Sequence, residues 1–268
     1  MRTGIKRTTR QALCHLKTRS GLAWLTALVR RAQGHNVDHL LLESLADRFS
    51  AIYDNRIWLN GRESGSRSGL GSEIANTQSI RLELPEMLAS LATGVLLDIG
   101  CGDFTWMKEL DLPCRYIGID IVPSVIVANS ARYSSESRRF AVLDATREAL
   151  PLADTVLCRE ILFHLSFKDI WRVIANVQAC GASFLIATND DGLKLNADII
   201  SGDFRPLNLR RDPFQFPRPT RTIHDNSQAS DRVLAVWELS EFSFSGRENR
   251  QEHSHWPGPT HDSGWKNK

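Results

Sequence analysis

The sequence predicts an α/β protein: a doubly wound, seven-stranded sheet made of five parallel strands plus a C-terminal hairpin-like pair, preceded by helices. Three observations carry that expectation. From Gly94 onward, short apolar runs alternate with amphipathic segments, the mark of parallel strands covered on both faces. The first of these runs, VLLDIG at 95–100, leads straight into a turn built on Gly100 and Gly102. A length of 268 residues, 42% of them hydrophobic, suffices for one α/β core with appended segments.

In chain order, residues 1–36 form a basic segment: the first 34 hold eight Lys or Arg and no Asp or Glu. Its apolar stretch, 21–29, is too short to span a bilayer and ends in Arg30 and Arg31 instead of a small-residue cleavage site. Such a segment suits a helix packed on the domain or peripheral contact with an anionic membrane surface. Residues 37–93 hold the N-terminal helices and a Ser/Gly/Arg loop. Val37, Leu40, Leu41, Leu45, Phe49 and Ile52 fall at helical spacing over 37–53, with Asn36 as N-cap. The run GRESGSRSGLGS, 61–72, is too rich in Gly, Ser and Arg for a core and reads as a loop. Ser72 caps a helix to about Glu83, and Pro85 starts a further turn toward Leu91.

Residues 94–239 form the domain proper. Strands are expected at 95–100, 115–121, 139–143, 155–159 and 183–188, with helices at 105–110, 124–133 and 167–179 between them. The last helix is the best defined, with Ser166 and Asp169 as a capping box and Gly181 at its end. About thirty polar and Pro-rich residues then precede two strands at 221–224 and 232–239. Residues 240–268 show no apolar period and read as a disordered tail.

Thirty-three basic against 31 acidic residues give a formal charge of +2, which argues against a nucleic-acid partner. Cys14, Cys101, Cys114, Cys158 and Cys180 show no metal-ligand spacing, and an odd count fits reduced thiols in a cytoplasmic protein.

A loop that leaves a buried parallel strand for a helix needs glycines to turn and to let its backbone approach a ligand. Thr105 stands where a third glycine would complete a dinucleotide fingerprint, which weakens that reading. Asp120, followed by Ile121, lies about twenty residues on, at a strand end where a carboxylate accepts from both hydroxyls of a ribose. Asp144 ends FAVLDA, placed to accept from an adenine amino group while Ala145 supplies a backbone donor.

With DIGCG, Asp120, Asp144 and DTVLCREILFHLS in that order, the chain resembles the class I, S-adenosylmethionine-dependent methyltransferases, over about residues 61–239. It looks like a subgroup carrying SGxGS, CGDFxWM, CRxxLFHLS and GDxRPLNL. The resemblance implies a Rossmann-like sheet, S-adenosylmethionine as cofactor, backbone approach of Gly100, Cys101 and Gly102 to the methionine part, a loop-positioning role for Asp98, and Asp103 near the amino group. Arg159, Glu160 and His164 follow the fourth strand as candidate catalytic residues. Arg62, Arg67, Ser68, Ser72, Thr77 and Arg81 are expected to close over the cofactor or grip an anionic substrate. Asp203, Arg205 and Asn208 sit on a long polar connection of the kind that carries specificity. The acceptor expected is a small molecule or glycan, methylated on oxygen or nitrogen. Two other readings stay open: a non-catalytic S-adenosylmethionine-binding scaffold, and an NAD-dependent oxidoreductase, which Thr105 and the lack of a Tyr-x-x-x-Lys pair disfavour.

Overall fold

The structure is a computed structural model that describes residues 21–34, 36–225 and 231–241. Most of the basic segment and nearly all of the C-terminal tail, with the expectation of disorder for it, lie outside the described residues.

Strands β1 (Val95–Ile99), β2 (Arg115–Asp120), β3 (Arg138–Val142), β4 (Thr155–Cys158), β5 (Phe184–Asp190), β6 (Arg221–His224) and β7 (Arg232–Glu238) form one sheet in the order β3-β2-β1-β4-β5-β7-β6. The first five are parallel; β7 inserts antiparallel between β5 and β6. The expected five-plus-two sheet is therefore the observed one. Strand order reverses between β1 and β4, so the turn after β1 stands at the topological switch point, where open α/β sheets bind ligands.

Both faces of the sheet are covered, and the period of two along each strand decides which residue meets which layer. Leu97, Val156 and Leu185 pack with Ile170, Val173, Ile174 and Val177 of α5 (Phe167–Ala179), numbered in chain order after the helices below. Their neighbours Leu96, Leu157 and Ile186 face Ile80, Leu84, Met87 and Leu88 of α3 (Gln78–Ser90). Further helices are α1 (Gly21–Ala32), α2 (Leu45–Asp54) and α4 (Pro123–Tyr133). Among the described residues no helix is long and apolar enough to cross a membrane.

Several expected helices differ in detail. The helix read over 37–53 is two pieces: a 3-10 turn, Asp38–Leu41, then α2. The break falls at extended Leu42, and Ser44 restarts the helix by accepting from the Asp47 amide at 3.0 Å. Asn36 only closes a local turn onto the Asp38 amide. Pro85 starts no new turn but lies inside α3, which runs through it because the buried stripe on either side outweighs the one missing hydrogen bond. The helix expected at 105–110 shrinks to a single turn, Met107–Glu109. At the start of α5, Ser166 caps the Asp169 amide, but the return bond of a capping box is absent: the Ser166 amide donates to Ser201 Oγ at 2.8 Å.

Candidate functional site

At the switch point the amides of Gly100 and Cys101 both donate to the Ile119 carbonyl, at 2.8 and 3.0 Å, which pins the turn to the end of β2. Gly100 and Gly102 have φ of +71° and +58°, the left-handed region that glycine enters without cost. Gly102 is also required for space: a Cβ there would stand 2.3 Å from Ser68 Oγ. The reading from sequence reserved that room for a ligand, whereas the structure gives it to the Ser/Gly/Arg loop.

That loop is stapled down by hydrogen bonds. Ser66 Oγ and the Arg67 amide donate to the Asp103 carboxylate at 2.9 and 2.6 Å, the Asp103 amide donates to Ser68 Oγ at 2.8 Å, and Tyr53 Oη pairs with Ser68 Oγ at 2.7 Å. Asp103 is thereby committed to the protein and does not line the cavity, a correction to its expected place beside the cofactor amino group. Arg81 is corrected likewise. Its guanidinium turns back on its own helix start, donating to Thr77 Oγ1 and the Ile74 carbonyl, and is absent from the cavity wall.

Asp98, Gly100, Cys101, Gly102, Asp120, Ile121, Asp144, Ala145, Arg159, Glu160 and His164 all line one cleft enclosing roughly 890 Å³ with its open mouth. Asp120 Oδ2 accepts from the Gly102 amide at 3.1 Å and Oδ1 from the Val122 amide at 3.0 Å, with the Ile121 amide also directed at the carboxylate. Burial pushes its pKa up to about 6. Asp98 accepts from the Tyr116 hydroxyl at 2.6 Å, and burial pushes it up to about 7. Asp144 Oδ1 accepts from the amide and hydroxyl of Thr146, at 2.9 and 2.6 Å.

On the far side of the cleft, Glu160 is a non-glycine residue at φ +56°. Its amide donates to Thr188 Oγ1 at 2.9 Å, and its carboxylate lies against Gly71, where a Cβ would be 1.7 Å from Oε2. Arg159 donates through Nη2 to the Gly71 carbonyl at 2.8 Å and to Asp225 at 3.2 Å, with its guanidinium over the Trp106 ring. Its Nε is buried with no hydrogen-bond partner among the described residues. His164 is buried; its Nδ1–H donates to the Asp203 carbonyl at 2.8 Å, which leaves Nε2 as the acceptor, and burial holds its pKa down at about 4.

The expected specificity residues on the long connection turn inward. Asp203 pairs with Arg30, Arg205 spans the carbonyls of Leu162, Leu165 and Ala197, and Asn208 ties the chain to Asp191 and Leu193. Residues missed from the sequence are Leu45, Phe49, Tyr53 and Trp58, which line the cleft beside His164. Trp58 stacks on the imidazole with ring centroids 4.8 Å apart. Leu45 and Phe49 were legible only as a helical packing stripe, and Trp58 belongs to no apolar period.

The Asp120 carboxylate at the cleft wall suits a ribose diol, and the buried Arg159 Nε, without a hydrogen-bond partner among the described residues, suits a ligand end that carries an anion. These residues fit a nucleoside joined to an amino acid. Residues 97–183 match the family model described as a methyltransferase domain. No curated protein matches the chain. Among solved structures, the chain is similar to human N-acetylserotonin methyltransferase in complex with S-adenosylmethionine, at 15% identity and a TM-score of 0.51, covering 84% of this chain and 69% of that one. It is also similar to the N-methyltransferase NodS of Bradyrhizobium japonicum WM9 (20% identity, TM-score 0.41, 61% of this chain and 93% of that one). The magnesium protoporphyrin IX methyltransferase of Synechocystis PCC 6803 is a third (18%, 0.41, 54% and 70%). The match to a methyltransferase domain thus falls on residues 97–183, which hold the glycine turn and the strand-end carboxylates around one cleft, on a sheet whose fold is shared with solved methyltransferases.

Proposed function

We propose that the protein transfers a methyl group from S-adenosylmethionine to an oxygen or nitrogen nucleophile of a small molecule or glycan. The observation that carries this is a single cleft that joins the glycine turn, Asp120 and Asp144 at one end to Glu160 and His164 at the other. When bound, the cofactor supplies an electrophilic methyl group on a sulfonium. The chain's own work is positioning. Asp120 accepts from the ribose hydroxyls, Asp144 presents Oδ2 toward the adenine amino group, and Arg159 Nε meets the carboxylate of the methionine part. Glu160 and His164 Nε2 offer hydrogen-bond acceptors to the nucleophile.

The near-neutral formal charge favours such an acceptor over nucleic acid. A cytoplasmic setting, with peripheral membrane contact through the basic residues 1–36, completes the proposal.

Calorimetry of the protein against S-adenosylmethionine tests it. Micromolar binding is expected, and Asp120→Ala, with its fold checked by circular dichroism, should weaken it by about a hundredfold, the loss of two charge-assisted hydrogen bonds. No binding by the wild-type protein, or equal binding by a folded Asp120→Ala variant, would overturn the assignment.

A further inference from the structure

The Ser/Gly/Arg loop at 61–72 is itself part of the cleft wall: Ser68 and Ser72 line it together with the glycine turn, Arg159 and Glu160. Polar contacts seat the loop beside the turn and again beside Arg159. At the turn, Asp103 takes the Ser66 hydroxyl and the Arg67 amide, and Ser68 Oγ takes the Asp103 amide. Further along, the Gly71 carbonyl accepts from Arg159 Nη2 at 2.8 Å, and the Glu160 carboxylate lies so close to Gly71 that no Cβ fits there.

Arg159 connects this loop to the interior of the cleft. Its guanidinium is planar and rigid, so fixing one nitrogen fixes the direction of the others. Nη2 is committed to the Gly71 carbonyl at 2.8 Å and to Asp225 at 3.2 Å, Nη1 lies 3.9 Å from Glu160, and the plane rests over the Trp106 ring. Nε differs from both: it is buried and finds no hydrogen-bond partner among the described residues. Asp98, near enough for the Arg159 charge to act on it, turns an oxygen to the Tyr116 hydroxyl instead. A buried donor left unmet penalises the arrangement that buries it, and an anionic ligand group placed on it removes the penalty. The seated loop is part of that arrangement, through Gly71.

Resting on the methyltransferase reading above, in which Arg159 Nε takes the cofactor carboxylate, we infer that Arg159 is a latch between cofactor and loop. The carboxylate on Nε sets the guanidinium plane, Nη2 is thereby aligned on the Gly71 carbonyl, and residues 61–72 close on the cleft. Cofactor and seated loop stabilise each other by one and the same factor, because coupling between two sites is reciprocal. The cofactor thus completes its own cleft, since Ser68 and Ser72 stand in the wall only while the loop is seated.

Hydrogen exchange of the purified full-length protein, read by mass spectrometry, tests this with two ligands. One is S-adenosylmethionine; the other is its decarboxylated analogue, which keeps the nucleoside, the sulfonium and the amine. Each is added to saturation as fixed by calorimetry. S-adenosylmethionine should slow exchange in residues 61–72 about tenfold, an ordinary strength of coupling, whereas the bound analogue should slow it by less than about twofold. Arg159→Lys keeps the charge but loses the rigid fork, so S-adenosylmethionine bound to it should also act by less than about twofold. Equal slowing by the two ligands, no slowing by bound S-adenosylmethionine, or full slowing in a folded Arg159→Lys overturns the inference and leaves the methyltransferase reading standing. If Arg159→Lys does not fold, the two ligands on the wild-type protein decide alone. No binding of the analogue at millimolar concentration overturns it too, because one charge-assisted hydrogen bond accounts for roughly a ten- to hundredfold loss. Failure of the wild-type protein to bind either ligand removes the underlying reading as well.

Discussion

Asp98 and Asp120 behave opposite to surface carboxyls. Burial raises their pKa values to about 7 and about 6, against about 4 in an unfolded chain. Through that window the folded chain holds protons the unfolded chain has lost, so these two groups stabilise the fold below about pH 4 and lose that contribution as pH rises to 7. Asp98→Asn should therefore raise the melting temperature of the cofactor-free protein more at pH 8 than at pH 5, a difference differential scanning calorimetry resolves. The Tyr116 hydroxyl keeps an acceptor in that variant. Under the proposed function cofactor binding runs the other way, because ribose hydroxyls would donate to the ionised form of Asp120. One unit below its pKa only about a tenth remains ionised. S-adenosylmethionine should bind roughly tenfold more weakly at pH 5 than at pH 7, and equal affinities would exclude Asp120 as the diol acceptor.

Among the elements, the loop at 61–72 owes its place to hydrogen bonds instead of apolar burial. Ser66 and Ser72 are buried, Asp103 takes the Ser66 hydroxyl and the Arg67 amide, and Arg159 holds the Gly71 carbonyl. Removing one such partner costs about 1 kcal/mol. Ser66→Ala should accordingly leave the sheet intact but open the loop more often, so that trypsin cuts after Arg62 and Arg67 several-fold faster. Cleavage rates equal to wild type would mean that the loop is held by something else. This loop also marks where sequence reading stopped. The strands, the capped helix α5 and the switch-point turn follow from apolar period and glycine placement, both local signals. A Gly/Ser/Arg run has no such period, and the carboxylate that seats it, Asp103, is 37 positions away from Ser66. Asp103 was read through family resemblance as a ligand contact for that reason, and Trp58 was not read at all.

At the scale of the molecule, the described residues form three separate apolar clusters: the two faces of the sheet and a small third one made of Trp24, Ala27, Val37, Leu40 and Ile200. The third joins α1 to the segment that holds His164. Arg30 pairs with Asp203, His39 Nε2–H donates to the Gly202 carbonyl at 3.0 Å, the Gly202 amide donates to the His164 carbonyl at 2.8 Å, and the Asp203 carbonyl takes His164 Nδ1–H. The sequence showed α1 as an amphipathic basic stretch and Asp203 as a polar loop residue. It could not show that each is the other's partner, because 173 positions separate Arg30 from Asp203. Truncating a core Trp to Ala costs about 3–5 kcal/mol when the whole fold depends on it. Here the loss is capped by the free energy that docks α1, since an undocked helix leaves both sheet clusters complete. Trp24→Ala should therefore shift the global melting temperature little. It should abolish hydrogen-exchange protection in residues 21–32, lower it around 200–205, and reduce methyl transfer more than cofactor affinity, because His164 loses its support while Asp120 does not. If the melting temperature instead fell by the roughly 6–20 °C that 3–5 kcal/mol implies for a chain of this size, with exchange rising everywhere alike, α1 and the sheet would be one cooperative unit and the N-terminal helix an integral layer of the fold.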